Sequence, residues 1–155
     1  MTKRLIYHCY GSAHSSVVAA AIHLGRLPTE RLPTKEEVLH LPDFDRARSE
    51  EIGTLFFKGE DQRGTMVYTV GFGHHWEAGV RALRSMLEIH GAEGFHLVRA
   101  LDSITWLTKV GGSLSRHYGW PAVGRPLAAW GIRRSYPKLL ALVDGVKRDL
   151  YGDGL

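Results

Sequence analysis

Apolar positions fall in blocks whose period changes along the chain. Residues 4–10, Arg-Leu-Ile-Tyr-His-Cys-Tyr, are aromatic and branched and stop at Gly11, the pattern of a β-strand. In such a strand Leu5, Tyr7 and Cys9 share one face and Ile6, His8 and Tyr10 the other. After Ser15-Ser16 the chain runs Val17, Val18, Ala19 to Ala21, Ile22 and Leu24. This segment is apolar around its whole circumference, which predicts a helix over 15–24 packed on a sheet and stopped by Gly25 and Pro28. Pro28, Pro33 and Pro42 break the stretch 28–45 into a connector or lid. Within it Thr34-Lys35-Glu36-Glu37 is a capping-box pattern for one short helix ending near Leu41.

Residues 53–59 and 65–72 are two β-rich runs, and Glu60-Asp61-Gln62-Arg63-Gly64 between them is turn chemistry, so a hairpin is expected. Helix 75–90 shows Trp76, Val80, Leu83 and Leu87 at steps of four, three and four. Phe95 to Leu101 reads as a strand. Asp102-Ser103 then caps a helix that contains Gly111-Gly112, each glycine costing about 1 kcal/mol against alanine, so a kink or a close packing partner is expected there. Leu127 to Ile132 reads as a last strand, and a final helix carries Leu139, Val143, Val146 and Leu150. Alternation of this kind means an α/β fold in three layers. Its sheet is mostly parallel, with helices on both faces and one antiparallel hairpin.

The length of 155 residues fits a single domain over 1–155 that needs neither disulfides nor metals for its core. No stretch approaches the roughly 20 apolar residues of a membrane span, and the run after Lys3-Arg4 is too short and polar for a secretory signal. A cytoplasmic location is expected. The formal charge of +4 is uneven: residues 1–100 carry 12 basic and 12 acidic side chains, residues 101–155 carry 8 and 4. That excess favours an anionic partner. Nucleic acid would call for a denser basic stripe with interleaved exposed aromatics.

Ligands of open α/β sheets bind beyond the carboxyl ends of the strands, at helix N-termini. Four junctions qualify: Gly11 to Ser16; Gly71-Phe72-Gly73-His74-His75; Leu101-Asp102-Ser103; and Gly131-Ile132-Arg133-Arg134-Ser135. The first is the richest. Gly11 lets backbone approach a ligand, Ser12, Ser15 and Ser16 offer hydroxyls, and the helix start offers N–H groups and a positive dipole end. Two readings stand side by side: an anion or phosphate cradle, or a turn in which Ser15 or Ser16 merely caps the helix. Candidate ligand-binding residues are Gly11, Ser12, His14, Ser15, Ser16, Gly73, His74, Arg133 and Arg134. A Walker A loop is excluded, because no lysine stands where it would reach terminal phosphates.

Cys9 is the only cysteine, and a thiol aimed at a helix N-terminus can become a nucleophile. Low-molecular-weight tyrosine phosphatases carry C-x5-R-S at such a turn. Here Ser15 occupies the arginine position and Ser16 follows, so nothing in the loop clamps a phosphoryl dianion bidentately. A buried, structural Cys9 is the default. Asp102 is the best general-base candidate, or a simple cap. His14, His74 and His75 lack the pairing of a metal site, and no motif calls for a cofactor.

The segments Ile6-Tyr7-His8-Cys9-Tyr10-Gly11 and His14 to Gly25 resemble a bacterial domain-of-unknown-function family, DUF3189. So do Gly111-Gly112 with Leu114-Ser115-Arg116, and Gly124-Arg125-Pro126-Leu127. The likeness runs over nearly the whole chain. It implies a protein found mainly in spore-forming Gram-positive bacteria and carries no established activity, cofactor or catalytic residue. It also draws attention to Arg116 and Arg125; the latter, ahead of the expected last strand, reads as structural. Three functions remain: binding of a small phosphorylated or otherwise anionic ligand, with or without catalysis; a regulatory or interaction module, sporulation-related; and thiol-based phosphoryl transfer at Cys9.

Overall fold

The computed structural model describes residues 2–100 and 121–152. Strand β1 (Arg4–Cys9) is followed by helix α1 (Ser15–His23) and the short helix α2 (Lys35–Leu39). A 3-10 turn (Ser49–Glu51) leads to strands β2 (Phe56–Glu60) and β3 (Met66–Gly71). A second 3-10 turn (Gly73–His75) opens helix α3 (Trp76–Ile89), strand β4 (Phe95–Arg99) follows, and helix α4 (Pro121–Tyr151) closes the described chain.

The sheet order is β2-β3-β1-β4. β1 is parallel to both its neighbours, and β2 pairs antiparallel with β3 as the expected hairpin, with a register shift at Phe57/Gly59. The chain leaves β1 for the β2–β3 hairpin on one side and later crosses to β4 on the other. The crevice beyond the carboxyl end of β1 is therefore the topological switch point, where ligands of open α/β sheets collect.

The alternation along β1 sorts its side chains as expected. Leu5 and Tyr7 join the main core with Val67 of β3, all of α1 from Val17 to Ile22, and the buried stripe of α4. On the opposite face His8 stacks on Trp76 at 5.7 Å between centroids and lies 5.4 Å from Phe72, which places α3 there. Every residue of α1 is buried, as its all-round apolar sequence demands. The capping box also forms. Glu37 N–H donates to Thr34 Oγ1 at 3.1 Å and Thr34 N–H to the Glu37 carboxylate at 2.7 Å. With the Arg31 guanidinium beside it, the Glu37 carboxyl is held down at about 2.

The expected last strand at 127–132 is not a strand; those residues are helical, inside α4. The reason is visible in what they bury. Ala128, Ala129, Ile132, Tyr136, Leu139, Val143, Val146 and Leu150 are all buried, and their spacing keeps a helical period throughout. Gly131 and the two interior prolines, Pro126 and Pro137, interrupt that stripe for a reader of sequence without ending it in the fold. Gly124-Arg125-Pro126 accordingly lies within a helix. Asp102, Ser103, Gly111-Gly112 and Arg116 lie outside the described residues.

Candidate functional site

The turn after β1 is built by its neighbours. The β1–β3 ladder runs on past both strands, with Phe72 N–H donating to the Cys9 carbonyl at 3.1 Å and Gly73 N–H to that of Tyr10 at 2.8 Å. Turn 10–16 and turn 72–75 therefore stand side by side. Gly71 allows this closeness, because a Cβ there would lie 2.7 Å from Gly11 backbone atoms. Ser12 takes a left-handed conformation, φ 53°, costly for a non-glycine residue. Its hydroxyl donates to Thr69 Oγ1 at 2.8 Å and its N–H to Cys9 Sγ at 3.2 Å. Ser16 Oγ is hydrogen-bonded to the same sulfur at 3.0 Å.

Two of the three serine hydroxyls are thus spent inside the turn, and Ser15 is the exception. It is 1% exposed and its Oγ meets no hydrogen-bond partner. Helix α1 has His14 at its N-cap and no side-chain cap, so neither Ser15 nor Ser16 plays the capping role. His14 is turned away to Asp45, Nε2 to Oδ1 2.9 Å, while its ring meets Phe44 edge-on. Asp45 N–H in turn donates to the Ala13 carbonyl at 2.9 Å. The connector thereby walls one side of the turn, and the Asp45 carboxylate is matched by the imidazole. On the other side Tyr10 and His74 meet at 4.9 Å, 78° between ring planes. Gly73 is buried with φ 62° where the 3-10 turn begins.

Arg133 and Arg134 owed their place in the site to a strand end that does not exist. Arg133 Nε donates to the Pro33 carbonyl at 2.8 Å, and Arg134 lies over Trp130. These contacts tie α4 to the start of α2 and cover an exposed indole. Asp102 lies outside the described residues. Cys9 is buried, 5% exposed, as the two-sided cover of β1 requires. Iodoacetamide is therefore expected to alkylate Cys9 far more slowly in the folded protein than in denaturant. Equal rates, followed by mass spectrometry, would contradict this burial. Among the described residues no group of His, Cys, Asp and Glu side chains converges as metal ligands, and no helix is long and apolar enough to cross a membrane.

A second polar cluster sits at the far end of α1, and sequence reasoning missed it. His23 Nε2 lies 3.0 Å from Asp61 Oδ2 and its Nδ1 lies 3.1 Å from the Tyr7 hydroxyl. A carboxylate only accepts, so Nε2 carries the proton and Nδ1 accepts from Tyr7. Tyr151 also donates to Asp61, and Thr65 Oγ1 lies 2.5 Å from the Tyr151 hydroxyl. Arg63 and Thr65 N–H groups donate to Asp61 Oδ1, an Asx-turn for which the turn composition was the one available signal. Burial pushes the Tyr7 hydroxyl far up and Tyr151 up to about 12, the latter helped by Asp61. This cluster joins α1, the hairpin turn and the end of α4; it is a clamp.

A family model described as a protein of unknown function, DUF3189, matches residues 4–148. The chain belongs to the DUF3189 family. The match spans the turn after β1 and the four described strands of this DUF3189 protein, and it includes His23 and Asp61 of the second cluster. No curated protein and no solved structure matches it.

Proposed function

We propose that this DUF3189 protein binds a small anionic, phosphorylated ligand at the turn Gly11 to Ser16. The observation that carries the reading is the Ser15 hydroxyl, buried and without a partner on the first residue of an uncapped helix. A buried hydroxyl left unpaired costs about 1–3 kcal/mol, a cost an anion's oxygen removes. The position supports the same reading. The turn lies at the switch point of the sheet, where the N–H groups of α1 and its dipole favour negative charge.

The test is a thermal-shift series with phosphate, nucleotides and sugar phosphates. Saturating anion, at about a hundredfold above Kd, is expected to add about 2.7 kcal/mol of stability. Ser15→Ala is expected to weaken binding about tenfold or more, the worth of a hydrogen bond to a charged group. No stabilisation by any anion, or unchanged affinity in Ser15→Ala, would remove the cradle.

A second reading, thiol-based phosphoryl transfer, takes its support from the two groups hydrogen-bonded to Cys9 Sγ, the donating Ser12 N–H and the Ser16 hydroxyl. The burial of the sulfur and the serine at the arginine position weigh against it. Rapid alkylation of the folded protein would promote it.

A further inference from the structure

Beside the cradle stand two rings that the core does not consume. Tyr10 directly follows Cys9 yet is only half-buried, and His74 is exposed. Their centroids are 4.9 Å apart and their planes 78° from parallel, so together they offer one ring face and one ring edge. The backbone bond from Gly73 N–H to the Tyr10 carbonyl, 2.8 Å, fixes the two turns against each other. The neighbouring residues of the same turn are aromatic as well: Trp76 stacks on His8, which also touches Phe72. Gly79 accepts the Phe72 ring where a Cβ would meet its Cδ1 at 2.4 Å. An exposed histidine held beside a half-exposed tyrosine has little to gain for the core. Next to a phosphate cradle, the same pair can hold a flat group carried by the phosphate.

We propose that the ligand is a phosphomonoester bearing an aromatic ring, with its phosphate at Ser15 and its ring against Tyr10 and His74. The inference rests on the cradle reading and adds the class of the ester. Two sources share this chemistry, a simple aryl phosphate and a nucleoside monophosphate. The side chains select for the ring in both cases, through an edge or stacking contact worth about three- to tenfold in affinity. His14 and Asp45 are committed to each other on the other side of the turn, so the ring side is that of Tyr10.

Isothermal titration with four probes tests this: inorganic phosphate, ribose 5-phosphate, phenyl phosphate and adenosine 5′-monophosphate. At least one aromatic ester is expected to bind three- to tenfold tighter than ribose 5-phosphate, and which one does so distinguishes the two sources. His74→Ala and Tyr10→Ala should each erase that preference, and Tyr10→Phe should keep it. His74 is exposed, so its variant reports on binding even if Tyr10→Ala impairs folding. Equal affinity for all four probes, or a preference that survives His74→Ala and Tyr10→Ala, overturns the aromatic subsite and leaves the cradle standing. Binding of none of them overturns both.

Discussion

Gly71→Ala is expected to lower stability by about 1–3 kcal/mol, the usual cost of overpacking, and to abolish anion-dependent stabilisation. The added methyl would sit 2.7 Å from the Gly11 Cα and carbonyl carbon and 2.9 Å from the Ser12 nitrogen. All three are backbone atoms, so no side-chain rotation relieves the clash; the turn itself must move. At roughly 2–4 °C per kcal/mol for a chain of this size, the melting temperature should fall by several degrees. Gly145→Ala is the matched control, because it lies inside α4 with nothing within 4 Å of the new atom. It should be neutral or stabilising by up to about 1 kcal/mol. Equal melting temperatures for wild type and Gly71→Ala would mean that the two turns do not stand as close as described.

Asp61→Ala should be of similar or larger effect, about 3 kcal/mol by urea unfolding, because it strands buried partners. His23, 3% exposed, would lose its acceptor, and Tyr151 and two backbone N–H groups would lose theirs. The same cluster sets an acid response. Burial lowers the His23 pKa, against the opposing bond to Asp61 and with repulsion from Lys147 adding to the fall. The unfolded chain, with histidine near 6.5, therefore binds a proton that the folded protein refuses. Stability is full above that value and declines as pH drops below it toward the folded pKa. For Asp61, burial raises the pKa, but bonds from Tyr151, Thr65, Arg63 and His23 outweigh it and hold the carboxyl below its ordinary value. Its contribution is present above the unfolded carboxylate range and is lost as pH falls through the folded value, a second decline below the first. Unfolding free energies measured from pH 7 to pH 3 should show both steps. A flat profile between pH 7 and pH 5 would contradict a neutral, buried His23.

What was legible in the sequence was local. The strand–turn–helix unit from Arg4 to His23 is marked by branched and aromatic residues, a glycine and an apolar helix, all in one run. The hairpin and the Thr34–Glu37 box are equally local and formed as expected. The stretch 127–132 failed because short apolar runs do not distinguish strand from helix. Only the continuous stripe from Ala128 to Leu150 decides the matter, and Gly131 and Pro137 hide it. That error carried Arg133 and Arg134 into the site. The partners that shape the turn are distant in sequence: Asp45 lies 31 residues from His14, and Thr69 lies 57 from Ser12. No periodicity announces such pairs. Nor does it announce which serine stays unpaired, since that depends on Cys9 and Thr69 engaging the other two.

The most direct measurement is a phosphate titration of ¹⁵N-labelled protein followed by amide shifts. The cradle requires saturable shifts at Ser12, Ser15, Ser16 and Val17, the turn and first residues of α1, with little change around His23 and Asp61 at its far end. Ser15→Ala should weaken that response without moving it elsewhere. Absence of shifts at the helix start, or non-saturating shifts confined to exposed lysines and arginines, would contradict a phosphate site at the turn.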